Sequence, residues 1–135
     1  MERPGLKRLM LFSGSANPEL AEEVAKLLDV EIGGVELAQF ANSETYVRYE
    51  ESVRGADCFV IQSHCAPVNE HIMEQLIMID ALKRASAKRI TAVMPFYGYA
   101  RQDKKGRPRE PITARMIGDL FMLSLIHISE PTRPS

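Results

Sequence analysis

Short apolar runs alternate along the chain with longer segments in which apolar residues recur every three or four positions. The short runs are rich in β-branched residues and are bounded by glycine, proline or polar residues, which is typical of strands. The longer segments have the spacing of amphipathic helices. The pattern predicts strands at residues 7–13, 35–40, 45–49, 57–63 and 89–94, and helices that begin at 18 and span 68–85 and 111–123. This alternation of strands and helices indicates an α/β fold.

Local residue choices refine this prediction. Asn17 is a good N-cap and Pro18 suits the first helical position, so the first helix should begin there. The continuous apolar centres at 57–63 and 89–94 indicate buried strands, and the first of these should be buried on both faces. The side chains expected to form the buried stripe of the first helix are Leu20, Val24, Leu27 and Leu28.

A basic segment follows the strand predicted at 89–94. Pro95 ends that strand because it has no N–H for the ladder, and Gly98 allows the chain to turn. From residue 101 to residue 109 five cations accompany one anion, and Gly106 and Pro108 keep the segment out of regular structure. Open α/β sheets bind ligands at the carboxyl ends of their strands. The segment is therefore a candidate phosphate site, with a merely solvated basic loop as the alternative.

Composition limits the other possibilities. The 135 residues allow one domain, and 45% apolar with 26% charged residues is ordinary for a soluble protein. A net charge of −1 argues against non-specific nucleic-acid binding over the whole surface. No apolar run has the length of a membrane span or a signal-peptide core, so we expect a cytoplasmic protein with neither nucleic acid nor membrane as a partner. The two cysteines and three histidines lack the spacing of a zinc site.

The sequence Phe-Tyr-Gly-Tyr-Ala-Arg-Gln-Asp-Lys-Lys at 96–105 resembles the ATP-binding loop of the ribose-phosphate pyrophosphokinases, or phosphoribosyl pyrophosphate synthetases. Further segments agree with this family in order and spacing from about residue 9 to about residue 122. The resemblance implies a phosphoribosyltransferase-type fold with a mainly parallel sheet flanked by helices. It also implies that ATP phosphates are held by Arg101, Lys104 and Lys105, in a loop shaped by Gln102 and Asp103.

The polar stretch between the second and third predicted strands indicates a hairpin with a polar tip, which by itself needs no function. Its residues, Phe-Ala-Asn-Ser-Glu, resemble the segment of the same family that binds adenine. The resemblance implies that Phe40 stacks on the base and that Asn42 and Glu44 hydrogen-bond to its edges, with Ser43 at a variable position beside them. In the family this tip reaches the ATP of a neighbouring subunit, which implies a homo-oligomer with shared ATP sites.

A possible regulatory site is also implied. Ser-Val-Arg-Gly at 52–55 resembles a turn that holds an allosteric phosphate in some members of the family. The resemblance extends this role to Ser52 and Arg54, and Ser86 at the end of the second helix could join them. A polar connection and a plain helix terminus are the structural alternatives.

The resemblance ends abruptly near residue 123. Members of the family continue there into a strand and an Asp-Leu-His sequence whose histidine binds magnesium, whereas this chain continues with two prolines, and His127 lacks the matching neighbours. We interpret residues 1–123 as an incomplete N-terminal domain. Residues 124–135 resemble translated sequencing-adapter DNA and are interpreted as a non-native tail, with a natural divergent C-terminus as the alternative.

The family transfers the diphosphoryl group of ATP to the 1-hydroxyl of ribose 5-phosphate, giving phosphoribosyl pyrophosphate and AMP. The resemblance implies that the parent protein is such a transferase and that its Mg²⁺ ligands and catalytic residues lie in the missing part. We expect the fragment to be inactive and to expose apolar surface where that part should pack. A non-catalytic regulatory homologue and a stand-alone adenine-nucleotide-binding module remain as alternatives.

Overall fold

The computed structural model describes residues 8–125. The elements are β1 (Leu9–Ser13), α1 (Pro18–Leu28), β2 (Val35–Gln39), β3 (Thr45–Tyr49), β4 (Asp57–Ile61), α2 (Val68–Arg84), β5 (Arg89–Val93) and α3 (Thr113–Leu125). The predicted α/β fold is confirmed, and each predicted element is present with slightly different ends. Residues 126–135, which include most of the predicted tail and His127, lie outside the described residues. Within the described residues no helix is long and apolar enough to cross a membrane.

The central sheet is parallel, with β4 between β1 and β5. Because the three strands run in the same direction, their carboxyl ends at Ser13, Ile61 and Val93 lie along one edge. β2 and β3 form a separate antiparallel hairpin, as predicted. The sheet therefore collects the loops that follow β1, β4 and β5 at a single edge.

The main core lies on the face of the sheet that α2 covers. Its fully buried side chains include Phe12, Met78, Ile79 and Leu82, and α3 and the base of the hairpin pack against the same cluster. Tyr49 anchors the hairpin, since its ring packs edge-on against Phe12 with centroids 4.7 Å apart. Its hydroxyl donates a hydrogen bond to the carbonyl of Met78 at 3.0 Å. The hairpin is thus fixed at its base.

The other face of the sheet is only partly covered. α1 approaches this face through Ala21 and Ala25, which are buried against β1 and β4. The predicted buried stripe is wrong for Leu27 and Leu28. These side chains are 86% and 52% exposed, because α1 contacts the sheet through Ala21 and Ala25 instead. An open groove of about 430 Å³ remains beside α1, lined wholly by apolar residues that include Leu11, Leu20, Val24, Phe59, Ile61 and Val93.

This groove also corrects the prediction for the strands. β4 is not buried on both faces, because Phe59 lies at the groove and is only half-buried. In β5 only Ile90 is buried, since β5 is an edge strand of the described sheet. The expected exposure of apolar surface is therefore present.

Candidate functional site

The basic loop follows β5 at the carboxyl edge of the sheet, as predicted. Residues 101–111 are all exposed and adopt neither helix nor strand. Among residues 8–125 no hydrogen bond or ion pair engages the side chains of Arg101, Lys104 or Lys105. These cations are therefore available to an anionic ligand.

The turn that leads into this loop differs from the prediction. Tyr99, not Gly98, is the residue in the left-handed region, with φ 67°. Gly98 is required for space, because a Cβ there would lie 2.9 Å from Cβ of His64 and 2.9 Å from Cγ1 of Val68. The glycine thus permits the loop to lie close against the end of β4 and the start of α2.

Several hydrogen bonds hold the turn in place. The backbone N–H of Gly98 donates to Nδ1 of His64 at 3.0 Å, and the N–H of His64 donates to the carbonyl of Phe96 at 2.7 Å. The hydroxyl of Tyr97 donates to the carbonyl of Ala114 on α3 at 2.7 Å. The hydroxyl of Tyr99 donates to Oδ1 of Asn69 on α2. The exposed basic loop therefore begins from a turn that is fixed to β4, α2 and α3.

Gln75 connects this turn to the sheet. Its side chain is fully buried, and its Nε2 donates to the carbonyls of Val60 and Val93 at 3.0 and 3.3 Å. Its Oε1 lies 2.8 Å from Nε2 of His64. One α2 side chain thus joins the ends of β4 and β5 to the histidine that holds the loop.

A second buried network occupies the turn after β1. Gln62 accepts a hydrogen bond from the N–H of Ala16 at 3.1 Å and donates to Glu74 at 2.6 Å. The backbone N–H and the hydroxyl of Ser15 also donate to Oε1 of Glu74, at 2.8 and 2.9 Å. The Gly-Ser turn therefore already holds an anion, the carboxylate of Glu74. Asn17 caps α1 as predicted, with its Oδ1 accepting from the N–H of Leu20 at 3.2 Å.

The hairpin tip is polar and exposed, as predicted. Oδ1 of Asn42 accepts a hydrogen bond from the N–H of Glu44 at 3.1 Å, and Ser43 has a φ of 75°. Phe40 is 55% exposed, and its ring centroid lies 5.6 Å from that of Tyr46. Ser43 and Glu44 line a cavity of about 450 Å³ together with Asn69 and Met73 of α2. The tip and the basic loop thus both border the first half of α2, where Tyr99 contacts Asn69.

The residues of the possible regulatory site lie at the opposite edge of the sheet. The N–H of Gly55 donates to the carbonyl of Ser86 at 3.0 Å, which brings the turn that contains Ser52 and Arg54 next to the end of α2. Nη2 of Arg8 donates to the carbonyl of Ser52 at 2.8 Å. Because β4 and β5 begin here, this group is separated by the length of the sheet from the basic loop.

Burial perturbs several titratable groups. It lowers the pKa of His64, an effect that the hydrogen bond to Gln75 opposes and that nearby His71 reinforces. Burial, and then the charge of Asp119, raises the pKa of Tyr97. Burial raises the pKa of the Cys58 thiol to about 11, with a further contribution from Asp57. His64 is therefore a neutral side chain at neutral pH.

Within residues 8–125 no group of three or more His, Cys, Asp or Glu side chains could hold a metal ion.

Four buried polar residues were not predicted from the sequence. Gln62, His64, Glu74 and Gln75 are all at most 9% exposed, yet only neighbouring apolar residues marked their segments as core. The available signal was a polar residue inside an otherwise apolar helix or strand, since such a residue must be hydrogen-bonded when it is buried. Their partners are distant in sequence and could not be identified from it.

Comparison with known proteins confirms the family resemblance. The family described as the N-terminal domain of ribose phosphate pyrophosphokinase matches residues 9–124. The chain is 68% identical over 116 residues to ribose-phosphate pyrophosphokinase of Corynebacterium glutamicum, and 67% identical over 117 residues to that of Streptomyces coelicolor. These alignments cover 86% and 87% of this chain but only 36% of each relative.

A solved structure agrees with the sequence comparison. The crystal structure of phosphoribosylpyrophosphate synthetase from Mycobacterium smegmatis superposes with a TM-score of 0.85 at 64% identity. The match covers 87% of this chain and 40% of that protein. The α/β fold with a mainly parallel sheet is therefore the fold of this neighbour, and this chain spans little more than a third of its relatives. The chain belongs to the family of the N-terminal domain of ribose phosphate pyrophosphokinase.

Proposed function

We propose that the whole protein to which this chain belongs transfers the diphosphoryl group of ATP to ribose 5-phosphate. The products would be phosphoribosyl pyrophosphate and AMP. The observation that carries this proposal is the exposed basic loop at the carboxyl edge of the sheet, in a chain of this family. Arg101, Lys104 and Lys105 have no partner within residues 8–125 and can neutralise the charge of ATP phosphates. Gln102 supports the loop, because its carbonyl accepts the N–H of Ala114 at 3.0 Å.

The adenine end of the nucleotide is assigned to the hairpin tip. The exposed ring of Phe40 can stack on a base, and Asn42 and Glu44 supply hydrogen-bonding groups close by. Phe40 at the tip is 55% exposed, which supports contact with a neighbouring subunit. We therefore include a homo-oligomer with shared ATP sites in the proposal.

The domain boundary belongs to the same proposal. Residues 1–123 form an incomplete N-terminal domain, and 124–135 are a non-native tail. Two observations support this: the family match ends at residue 124, and the groove beside α1 leaves Phe59 and Val93 uncovered on a face that α/β proteins usually bury. A part of the protein beyond this chain would cover the groove and supply the Mg²⁺ ligands. We place the protein in the cytoplasm, where its substrates would be phosphorylated metabolites.

The amino edge of the sheet is proposed as an allosteric phosphate site. The contact between Gly55 and Ser86 places two turns side by side, and Arg54 supplies an exposed cation next to Ser52. This site lies at the opposite edge of the sheet from the basic loop.

The experiment that tests the proposed function uses a chimera of residues 1–123 with the remaining part of the Corynebacterium glutamicum relative. AMP formation from ATP should require ribose 5-phosphate and magnesium. Arg101→Ala and Lys104→Ala should each lower kcat/KM for ATP about 10- to 100-fold, since a charged hydrogen bond contributes about 1.5–3 kcal/mol. Lys26→Ala, on exposed α1, is the matched control and should change little.

The outcomes separate the proposed function from its alternatives. A folded chimera that binds ATP without forming AMP would favour a regulatory homologue and contradict the transferase. Unchanged kcat/KM in both loop variants would contradict the assignment of the phosphate site. Mixing a Phe40→Ala chimera with an Arg101→Ala chimera tests sharing, because hybrid oligomers should recover part of the activity only if one site takes residues from two subunits.

A further inference from the structure

Among the hydrogen bonds described for residues 8–125, one joins a titratable side chain near the sheet to the turn before the basic loop. That side chain is His64, which bonds to Gly98. The imidazole is fully buried, and its ring stacks at 5.6 Å on Phe121 of α3. Nδ1 accepts the backbone N–H of Gly98, so the ring proton must lie on Nε2. Nε2–H then donates to Oε1 of Gln75. Two fixed partners thus specify one neutral tautomer.

The orientation of Gln75 is fixed as well. Its Nε2 donates to the carbonyls of Val60 and Val93, so only Oε1 can face His64. The amide cannot rotate to donate to Nε2 of the other neutral tautomer without giving up both strand carbonyls. The network therefore leaves Nδ1 as the acceptor for the loop.

The loop is strained directly after this contact. Tyr99 occupies the left-handed region, which a non-glycine residue maintains only when its surroundings impose it. The surrounding constraints include the Gly98–His64 hydrogen bond, the hydroxyl of Tyr99 on Asn69, and the N–H of Gln102, which donates to the carbonyl of Tyr99 at 2.9 Å. Arg101 follows two residues later, so relaxation of Tyr99 would redirect the cations of the loop.

We propose that His64 is a positioning residue for the basic loop: its neutral imidazole holds Gly98 and thereby directs Arg101, and protonation of Nδ1 releases the loop. The part that concerns ATP rests on the proposed function, whereas the contact with Gly98 does not. Release follows because a protonated Nδ1–H would face the N–H of Gly98, which places two donors against each other. The position of the basic loop would then depend on pH through the protonation state of His64.

The groups around His64 support a neutral ring. The titratable groups that face it are His71 from α2 and Tyr97 from the loop, while α3 contributes the ring of Phe121, with Asp119 beside Tyr97. No carboxylate within residues 8–125 is described in contact with the imidazole. Burial therefore opposes protonation, and the release belongs to pH values below the ordinary histidine pKa of about 6.5.

Two substitutions separate the two hydrogen bonds. His64→Asn places Oδ1 where Nδ1 was, so it retains an acceptor for Gly98 but does not titrate. His64→Gln places its amide near Nε2, so it retains a group for Gln75 and loses the acceptor. Both variants keep the backbone hydrogen bond from residue 64 to Phe96, because that bond needs no side chain.

The first readout is hydrogen exchange at the Gly98 amide in the 135-residue chain, measured by NMR from about pH 8 to about pH 5 and corrected for intrinsic exchange. Wild type should be protected at high pH and should lose protection as the ring protonates, an effect that needs no substitution. His64→Asn should remain protected throughout, and His64→Gln should be exposed throughout. Equal protection in wild type and His64→Gln, or a ring that carries its proton on Nδ1, would overturn the proposal.

The second readout is the KM for ATP of the chimera. His64→Gln should raise this KM about ten-fold at high pH with little change in kcat, while His64→Asn should remain within about two-fold. KM should rise at acid pH in wild type but not in His64→Asn. If every variant shows the expected Gly98 exchange but none uses ATP, the proposed function fails, and the proposed role of the His64–Gly98 hydrogen bond stands. If ATP is used with the same KM by His64→Gln, the positioning role fails and the proposed function stands.

Discussion

Gln75→Met is expected to destabilise the chain far more than its conservative size suggests. Gln75 is fully buried and makes three side-chain hydrogen bonds. Methionine has nearly the same length and volume, so the substitution leaves no large cavity and removes only the polar contacts. The perturbation therefore reports on the hydrogen bonds themselves.

The magnitude follows from the partners that are left behind. The carbonyl of Val93 keeps a second donor, the N–H of Gln62 at 3.0 Å. The carbonyl of Val60 keeps its ladder pairing with β5, so the Nε2–H of His64 is the buried group left unpaired, at a cost of about 1–3 kcal/mol. The greater hydrophobicity of methionine offsets part of this loss. We expect the free energy of unfolding to fall by about 1–3 kcal/mol.

Urea unfolding followed by circular dichroism measures this difference. Gln39→Met, at an exposed position of β2, is the matched control and should stay within about 0.5 kcal/mol of wild type. His64→Phe should cost less in the Gln75→Met background than in wild type, because removal of both partners leaves fewer unpaired groups. A loss below about 1 kcal/mol for Gln75→Met would refute the view that this network stabilises the carboxyl edge.

Three further predictions concern other parts of the chain. Cys65 is half-exposed and Cys58 is buried with its pKa raised, so one thiol should react quickly with a disulfide reagent and the second only on unfolding; two fast thiols would contradict the packing. The dye ANS should bind in the apolar groove, and Val24→Lys should reduce its fluorescence, whereas Leu27→Lys, outside the groove lining, should not. The free energy of unfolding should fall as pH decreases below about 6.5. Below that pH the imidazole of His64 binds a proton in the unfolded chain, whereas burial disfavours the same protonation in the folded chain. His64→Asn should remove that part of the pH dependence, and an identical pH profile in this variant would argue against a neutral His64.

The parts of the fold that depend on local chemistry could be predicted from the sequence. Asn17 and Pro18 marked the start of α1, and the apolar runs marked the strands, because caps and periodicity act over a few residues. The exposure of Leu27 could not be predicted, since helical spacing gives a stripe but not which residues meet the sheet. Ala21 and Ala25 make that contact because small side chains let α1 approach closely.

The candidate site shows the same division. The exposed loop around Arg101 was evident from its charge and from the proline and glycine residues that flank it. His64 and Gln75 were not, because a polar residue in an apolar segment indicates that it needs a hydrogen-bond partner but not which partner it has. Their importance arises from partners 34 and 18 residues away along the chain, which only the folded arrangement brings together.

We propose that this chain is the incomplete N-terminal domain of a ribose-phosphate pyrophosphokinase. The most direct test is to amplify and sequence the source DNA across the codon for Leu123. We expect the true reading frame to depart from this sequence there and to continue into a further strand followed by Asp-Leu-His. A frame that stops after Ser135 would contradict the claim, because such a chain would lack the parts to which we assign the magnesium site and the chemistry.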